Sequence, residues 1–140
     1  MKWKYNLLGL LQLVVALGAI PAGLALIIYP DGSAVGMSTT LLSQAPFQDF
    51  LIPGLFLLIG NGLSNGFGGM LAFLHRPVAG TLGLLLGVFL MAWVLIQVYF
   101  IGYLSFLQPL MFGLGVIISG LGWLIVRSKE GQKAASHLPI

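Results

Sequence analysis

The sequence predicts an all-α, polytopic membrane protein: a bundle of four transmembrane helices forming one domain over residues 1–140, with both termini in the cytoplasm. Three observations carry that prediction. Apolar residues make up 59% of the chain and charged residues only 6%, where soluble domains carry about 25%. Four long stretches hold no Asp, Glu, Lys, Arg or His, each near the roughly 20 residues that a helix needs to cross a bilayer. The basic residues Lys2, Lys4, Arg76, Arg127, Lys129 and Lys133 all fall at the amino-terminal end, in the second connection or in the carboxy-terminal tail. Under the positive-inside rule those three places are cytoplasmic.

The first span is expected over residues 7–28. Lys2 and Lys4 alternate with Trp3 and Tyr5 before it, an interfacial anchor of charge beside amphipathic rings. A cleaved signal peptide is the rival reading, but the apolar run exceeds a usual signal core, so a retained helix is expected. Pro21 removes one backbone donor and predicts a kink. Gln12 is the one strongly polar side chain of this span and should face the bundle.

Residues 29–49 form the outer loop, with Asp31 and Asp49 and no lysine or arginine. Tyr29-Pro30-Asp31-Gly32 fits a turn that stops the first helix. Ser38–Gln44 reads as a short interfacial helical turn, and Ala45-Pro46-Phe47 as extended chain, because the residue before proline avoids the helical region.

The second span, over residues 50–74, is the stretch around which the others should be arranged. Asp49 is placed to cap its free amides, and Pro53 falls in the first turn, where a missing N–H is harmless. On a regular helix, Gly60, Ser64 and Gly68, and likewise Gly62 and Gly66, repeat every four residues. Small residues at that spacing let backbones approach closely, which is what drives helix association in lipid. Ile59, Leu63 and Phe67 make the bulky stripe. Asn61 and Asn65 share one face, and an amide in hydrocarbon needs a partner. The second helix is therefore expected to be the most enclosed of the four.

His75-Arg76-Pro77 is a short basic connection. The third span, over residues 78–103, is about 40 Å long at about 1.5 Å per residue, so it should tilt or project. Gly83 and Gly87 give it one small-residue face; Trp93 and Gln97 share another. Pro109 is expected to open the fourth span, over residues 109–126, with Gly115 and Ser119 on its packing face. The tail, residues 127–140, is polar and short.

Several chemistries are poorly supplied. No cysteine occurs, which removes thiolate nucleophiles and cysteine metal sites. The spans hold no ionisable side chain of the kind that ion-coupled transporters and proton pumps use at depth. His75 and His137 have no second ligand at metal spacing, and no phosphate loop, dinucleotide fingerprint or nucleophile elbow is present. No enzyme, cofactor or metal site is expected. A basic face reaching across many phosphates is absent, so no nucleic-acid partner is expected either.

The residue pattern leaves three readings of function. The first is a non-catalytic structural or accessory subunit that packs with itself or a larger membrane complex through small-residue surface, with membrane lipid as its other partner. The second is a small oligomeric passive channel or uncoupled carrier lined by Asn61, Asn65 and Gln97, with Gln12 in the same polar network. The third is a lipid or hydrophobic-ligand binder at an outer aromatic cluster of Trp93, Tyr99, Tyr103 and Phe47, with Gln97 or Gln108 supplying a hydrogen bond.

The pattern Pro30-Asp31-Gly32, Gly36-Met37, Leu42, Pro46-Phe47 and Pro53-Gly54, followed by Trp93-x3-Gln97 and Gln108-Pro109, resembles small uncharacterised bacterial membrane proteins with four spans. The resemblance touches most of the chain. It implies a bacterial inner-membrane setting and supplies no activity.

Overall fold

A computed structural model describes residues 2–35, 40, 43, 48–102 and 106–128. The expected turn over Ser38–Gln44, the extended Ala45-Pro46-Phe47, Tyr103 and the tail from Lys129 lie wholly or mainly outside the described residues.

The described chain is all-α. Its four long helices are α1 (Lys2–Ile28), α2 (Leu51–Phe73), α3 (Val78–Ile101) and α4 (Leu107–Arg127). Each is long and apolar enough to cross a membrane. Two starts fall earlier than the sequence indicates. Helix α1 begins at Lys2 and takes in the Trp-Lys-Tyr anchor, and α4 begins at Leu107, which leaves Pro109 inside the first turn.

The helices run up, down, up, down. Helices α1 and α2 form one closely packed pair and α3 and α4 another, and the pairs meet along α1–α4 and α2–α3. This arrangement gathers Lys2, Lys4, Arg76 and Arg127 at one end of the bundle. Asp31 and Asp49 occupy the other.

The ends of α2 show how local sequence sets the register. Asp49 Oδ1 accepts the Leu51 amide at 3.0 Å, the capping role its position predicts. At the far end, His75 N–H donates to Ala72 O at 2.9 Å and Arg76 N–H to Leu71 O at 3.0 Å. These two bonds make a Schellman motif, with His75 at φ 55° in the position that glycine usually fills. The His75 ring contributes beyond its backbone: Nε2 lies 3.1 Å from Asn6 Oδ1, and the ring sits 5.4 Å from that of Tyr5. The start of α1 is thereby tied to the end of α2. In the loop after α1, the Ser33 amide donates to Asp31 Oδ1 at 2.9 Å and holds that carboxyl below its ordinary range.

Helix α2 departs from the regular geometry expected of it. Residues Phe56–Leu63 are π-helical, with the Ser64 N–H reaching back five residues to Ile59 O. The physical reason lies in the side chains that follow. Ser64 Oγ also donates to Ile59 O, at 2.5 Å, and Asn65 Nδ2 donates to Asn61 O at 2.8 Å. Local side-chain bonds of this kind compete with the regular backbone ladder, and Gly60 and Gly62 make the wide turn cheap.

Helix α2 is also no more enclosed than the others, contrary to expectation: 33% of each spanning window is buried. Its bulky stripe of Ile59, Leu63 and Phe67 points outward, each more than half exposed, while its small residues face in.

Glycines set the distances between helices. A methyl group on Gly23 would sit 2.8 Å from the Leu58 backbone nitrogen, and one on Gly54 would sit 2.8 Å from Leu26 Cβ. The two four-residue rows of α2 serve different partners. Gly60 seats the Phe89 ring of α3, whereas Gly62 and Gly66 face Ile20 and Ala16 of α1. Gly68 lies against both, at Gln12 and Leu86. Gly83 and Gly87 likewise divide, to Leu8 of α1 and to Ser119 and Gly115 of α4, so they do not form the single face their spacing indicates. Between them lies a core of Leu8, Val15, Leu90, Val94, Ile118, Leu121 and Ile125.

This packing yields a direct contrast. A methyl on Gly66 would meet only Ala16 Cβ, at 3.8 Å, while one on Gly62 would meet Ile20 Cγ1 at 2.8 Å. Gly66→Ala should therefore be neutral or stabilising by up to about 1 kcal/mol, from helix propensity. Gly62→Ala should cost about 1–3 kcal/mol through overpacking. Denaturant titration of both variants in mixed micelles checks the difference; equal stabilities would contradict the packing described.

Candidate functional site: a buried amide cluster

Two carboxamides meet inside the bundle, and a third is buried one turn away on the same helix. Gln12 of α1 and Asn61 and Asn65 of α2 are each 0% exposed. Gln12 Nε2 donates to Asn65 Oδ1 at 3.3 Å, and Asn65 passes the connection on through its bond to the Asn61 carbonyl. Asn65 is thus both acceptor and donor, joining α1 to the wide turn of α2. Gly68 makes the approach possible, because a methyl group there would lie 2.7 Å from Gln12 Nε2.

The network is incompletely satisfied. Gln12 Oε1 and both polar atoms of the Asn61 side chain are buried without a hydrogen-bond partner among the described residues. A buried amide without partners costs about 1–3 kcal/mol on protein mutational scales. The cluster therefore holds its shape through Asn65 while presenting unused donor and acceptor capacity at Asn61 and Gln12.

Gln97 does not join the cluster. It is half-buried on α3, and no hydrogen bond links it to the three amides among the described residues. Trp93 turns toward α2, its ring 6.2 Å from that of Phe56, with Nε1 buried and unpartnered among the described residues.

Of the expected outer aromatic groove, Trp93, Tyr99 and Gln108 are among the described residues. Tyr99 is 82% exposed and packs edge-on to Phe100 at 5.0 Å. Phe47 and Tyr103 are outside the described residues. A shallow groove of about 250 Å³ does lie between α3 and α4, lined by Val94, Leu95, Val98, Gln108, Pro109 and Phe112. It contains Gln108 of the expected aromatic groove, whose Nε2 donates to Gly102 O at 3.2 Å. Among the described residues no group of three or more His, Cys, Asp or Glu side chains is placed to hold a metal ion.

Sequence reasoning missed the π-helical turn and the part Ser64 plays in it. The available signal was Asn-Gly-Leu-Ser-Asn itself, in which a hydroxyl and an amide each lie within reach of a carbonyl one turn back. No protein-family model, curated protein or solved structure matches the chain, so its function is argued from this geometry.

Proposed function

We propose that the chain is a non-catalytic integral membrane protein of the bacterial inner membrane, both ends cytoplasmic, acting as a structural or accessory subunit. It assembles with a second copy or with another membrane protein through the outward face of α4. The observation that carries this reading is the pair Gly113 and Gly120. A methyl group on either would meet nothing within 4 Å, whereas the described glycines of α1, α2 and α3 all seat a neighbour from the same chain.

Gly113, Val116, Gly120 and Trp123 recur at three- and four-residue spacing, which puts them on one face. Val116 and Trp123 are about half exposed. Glycine offers little to lipid, but it lets another helix approach closely enough to gain dispersion contact. The orientation follows from the charges. Lys2, Lys4, Arg76 and Arg127 share one end, which the positive-inside rule assigns to the cytoplasm.

The absence of cysteine makes the test clean. Single cysteines at Val116 (Val116→Cys) and at Leu85 of α3 (Leu85→Cys), both exposed, are oxidised with copper phenanthroline in native membranes. A disulfide-linked dimer is expected at Val116 and none at Leu85. No dimer at Val116, together with a monomeric mass and no co-purifying protein in mild detergent, would reject assembly altogether. A co-purifying protein without the dimer would assign the face to a different subunit.

A further inference from the structure

We propose that the partnerless side-chain amide of Asn61 holds a small neutral molecule that both donates and accepts hydrogen bonds, with water as its occupant, inside the bundle. This site is separate from the α4 face and does not depend on assembly.

Three observations lead there. First, the unused atoms are of both kinds: Asn61 Nδ2 is a donor, while Asn61 Oδ1 and Gln12 Oε1 are acceptors, all buried. A cation would answer only the oxygens and an anion only the nitrogen. Water answers both, and buried waters typically make about three hydrogen bonds to such groups. Second, the surroundings carry no compensating charge. Residues 6–28, 51–73, 78–101 and 107–126 contain no Asp, Glu, Lys, Arg or His, so an ion would be held with no opposite charge nearby.

Third, the α1–α2 seam leaves room for a methyl group at one position. Along the α1–α2 contact, a methyl group on Gly9, Gly23, Gly54, Gly62, Gly68 or Gly69 would fall within 3.1 Å of a neighbour. On Gly66, next to Asn65 and facing Ala16 one turn from Gln12, the nearest atom is 3.8 Å away. That room lies beside Asn65, whose side chain joins Gln12 to the Asn61 carbonyl. Asn61 itself lies in the π-helical segment, and such turns are frequent at functional sites.

The chain has three asparagines, Asn6, Asn61 and Asn65, so protein labelled with ¹⁵N-asparagine, and with ¹⁵N-leucine for reference, has three asparagine side-chain amide signals. Asn61→Leu assigns one of them by its loss. In phosphatidylcholine–phosphatidylglycerol vesicles, short-mixing magnetisation transfer from water is expected to reach the Asn61 amide several-fold faster than the backbone amide of buried Leu8. A rate no faster than that of Leu8 would overturn the proposal.

Thermal unfolding of the same variant provides a second measurement. Relief of a dry, unpartnered amide would raise Tm by several degrees, and that result also overturns the proposal. An occupied site predicts an unchanged or lower Tm, because leucine forfeits the bonds made to the occupant.

Discussion

Gly87→Ala is expected to destabilise the bundle by about 3 kcal/mol or more, at or above the upper end of ordinary overpacking. The added methyl would sit 2.5 Å from Ser119 N and 2.7 Å from both Gly115 O and Ser119 Cβ. Two of these are backbone atoms of α4, which no side-chain rotation can move. Ordinary carbon contacts lie at about 3.5–4.0 Å, so α3 and α4 would have to separate by on the order of 1 Å. That separation loosens Leu90 and Val94 against Ile118 and Leu121 along the α3–α4 contact. Gly120→Ala, on the same pair of helices but facing open space, should instead gain up to about 1 kcal/mol of helix propensity. Unfolding of the two variants in mixed detergent micelles compares them directly, and equal midpoints would refute close backbone packing at Gly87.

Asn65→Leu is the second large effect. It removes the acceptor for Gln12 Nε2 and the donor to Asn61 O. Each group left unsatisfied in a buried setting costs about 1–3 kcal/mol, so a loss of about 2–5 kcal/mol is expected. Substituting Gln12 as well removes the stranded amide. The double variant Gln12→Leu, Asn65→Leu should therefore be more stable than Asn65→Leu alone. The coupling between the two positions should be about 0.6–2 kcal/mol, the range found for hydrogen bonds between helices in membranes. Additive effects would mean that the Gln12–Asn65 bond contributes nothing.

Much of the fold was legible in the sequence. Four charge-free apolar runs are long enough to span, and four helices form there, because in hydrocarbon a segment must satisfy its own backbone and the helix does so locally. The outward placement of Ile59, Leu63 and Phe67 was readable for the same kind of reason: bulky apolar groups cost nothing in lipid, whereas glycine and amides gain by facing protein. That Asn61, Asn65 and Gln12 are all buried follows from the same balance.

The partners of those residues were less legible. Four-residue spacing puts Gly83 and Gly87 on one side of α3, yet they serve two different helices, since a side wide enough for both can touch α1 and α4 at different heights. Gln97 has the same chemistry as Gln12 and no place in the cluster, because nothing in its local sequence records which helix it will meet. Tyr99 belongs by composition to an aromatic group and by position faces outward.

The sequence by itself determined how many helices form, which stretches form them, and which side chains avoid lipid, because each is a matter of transfer free energy and backbone satisfaction within one segment. Tertiary structure alone decided which glycine seats which neighbour, that Asn65 bonds Gln12, and that Asn61 retains its hydrogen-bonding capacity. Those outcomes depend on distances between segments far apart in the chain, and on the wide turn of α2 that moves one helix face relative to the next.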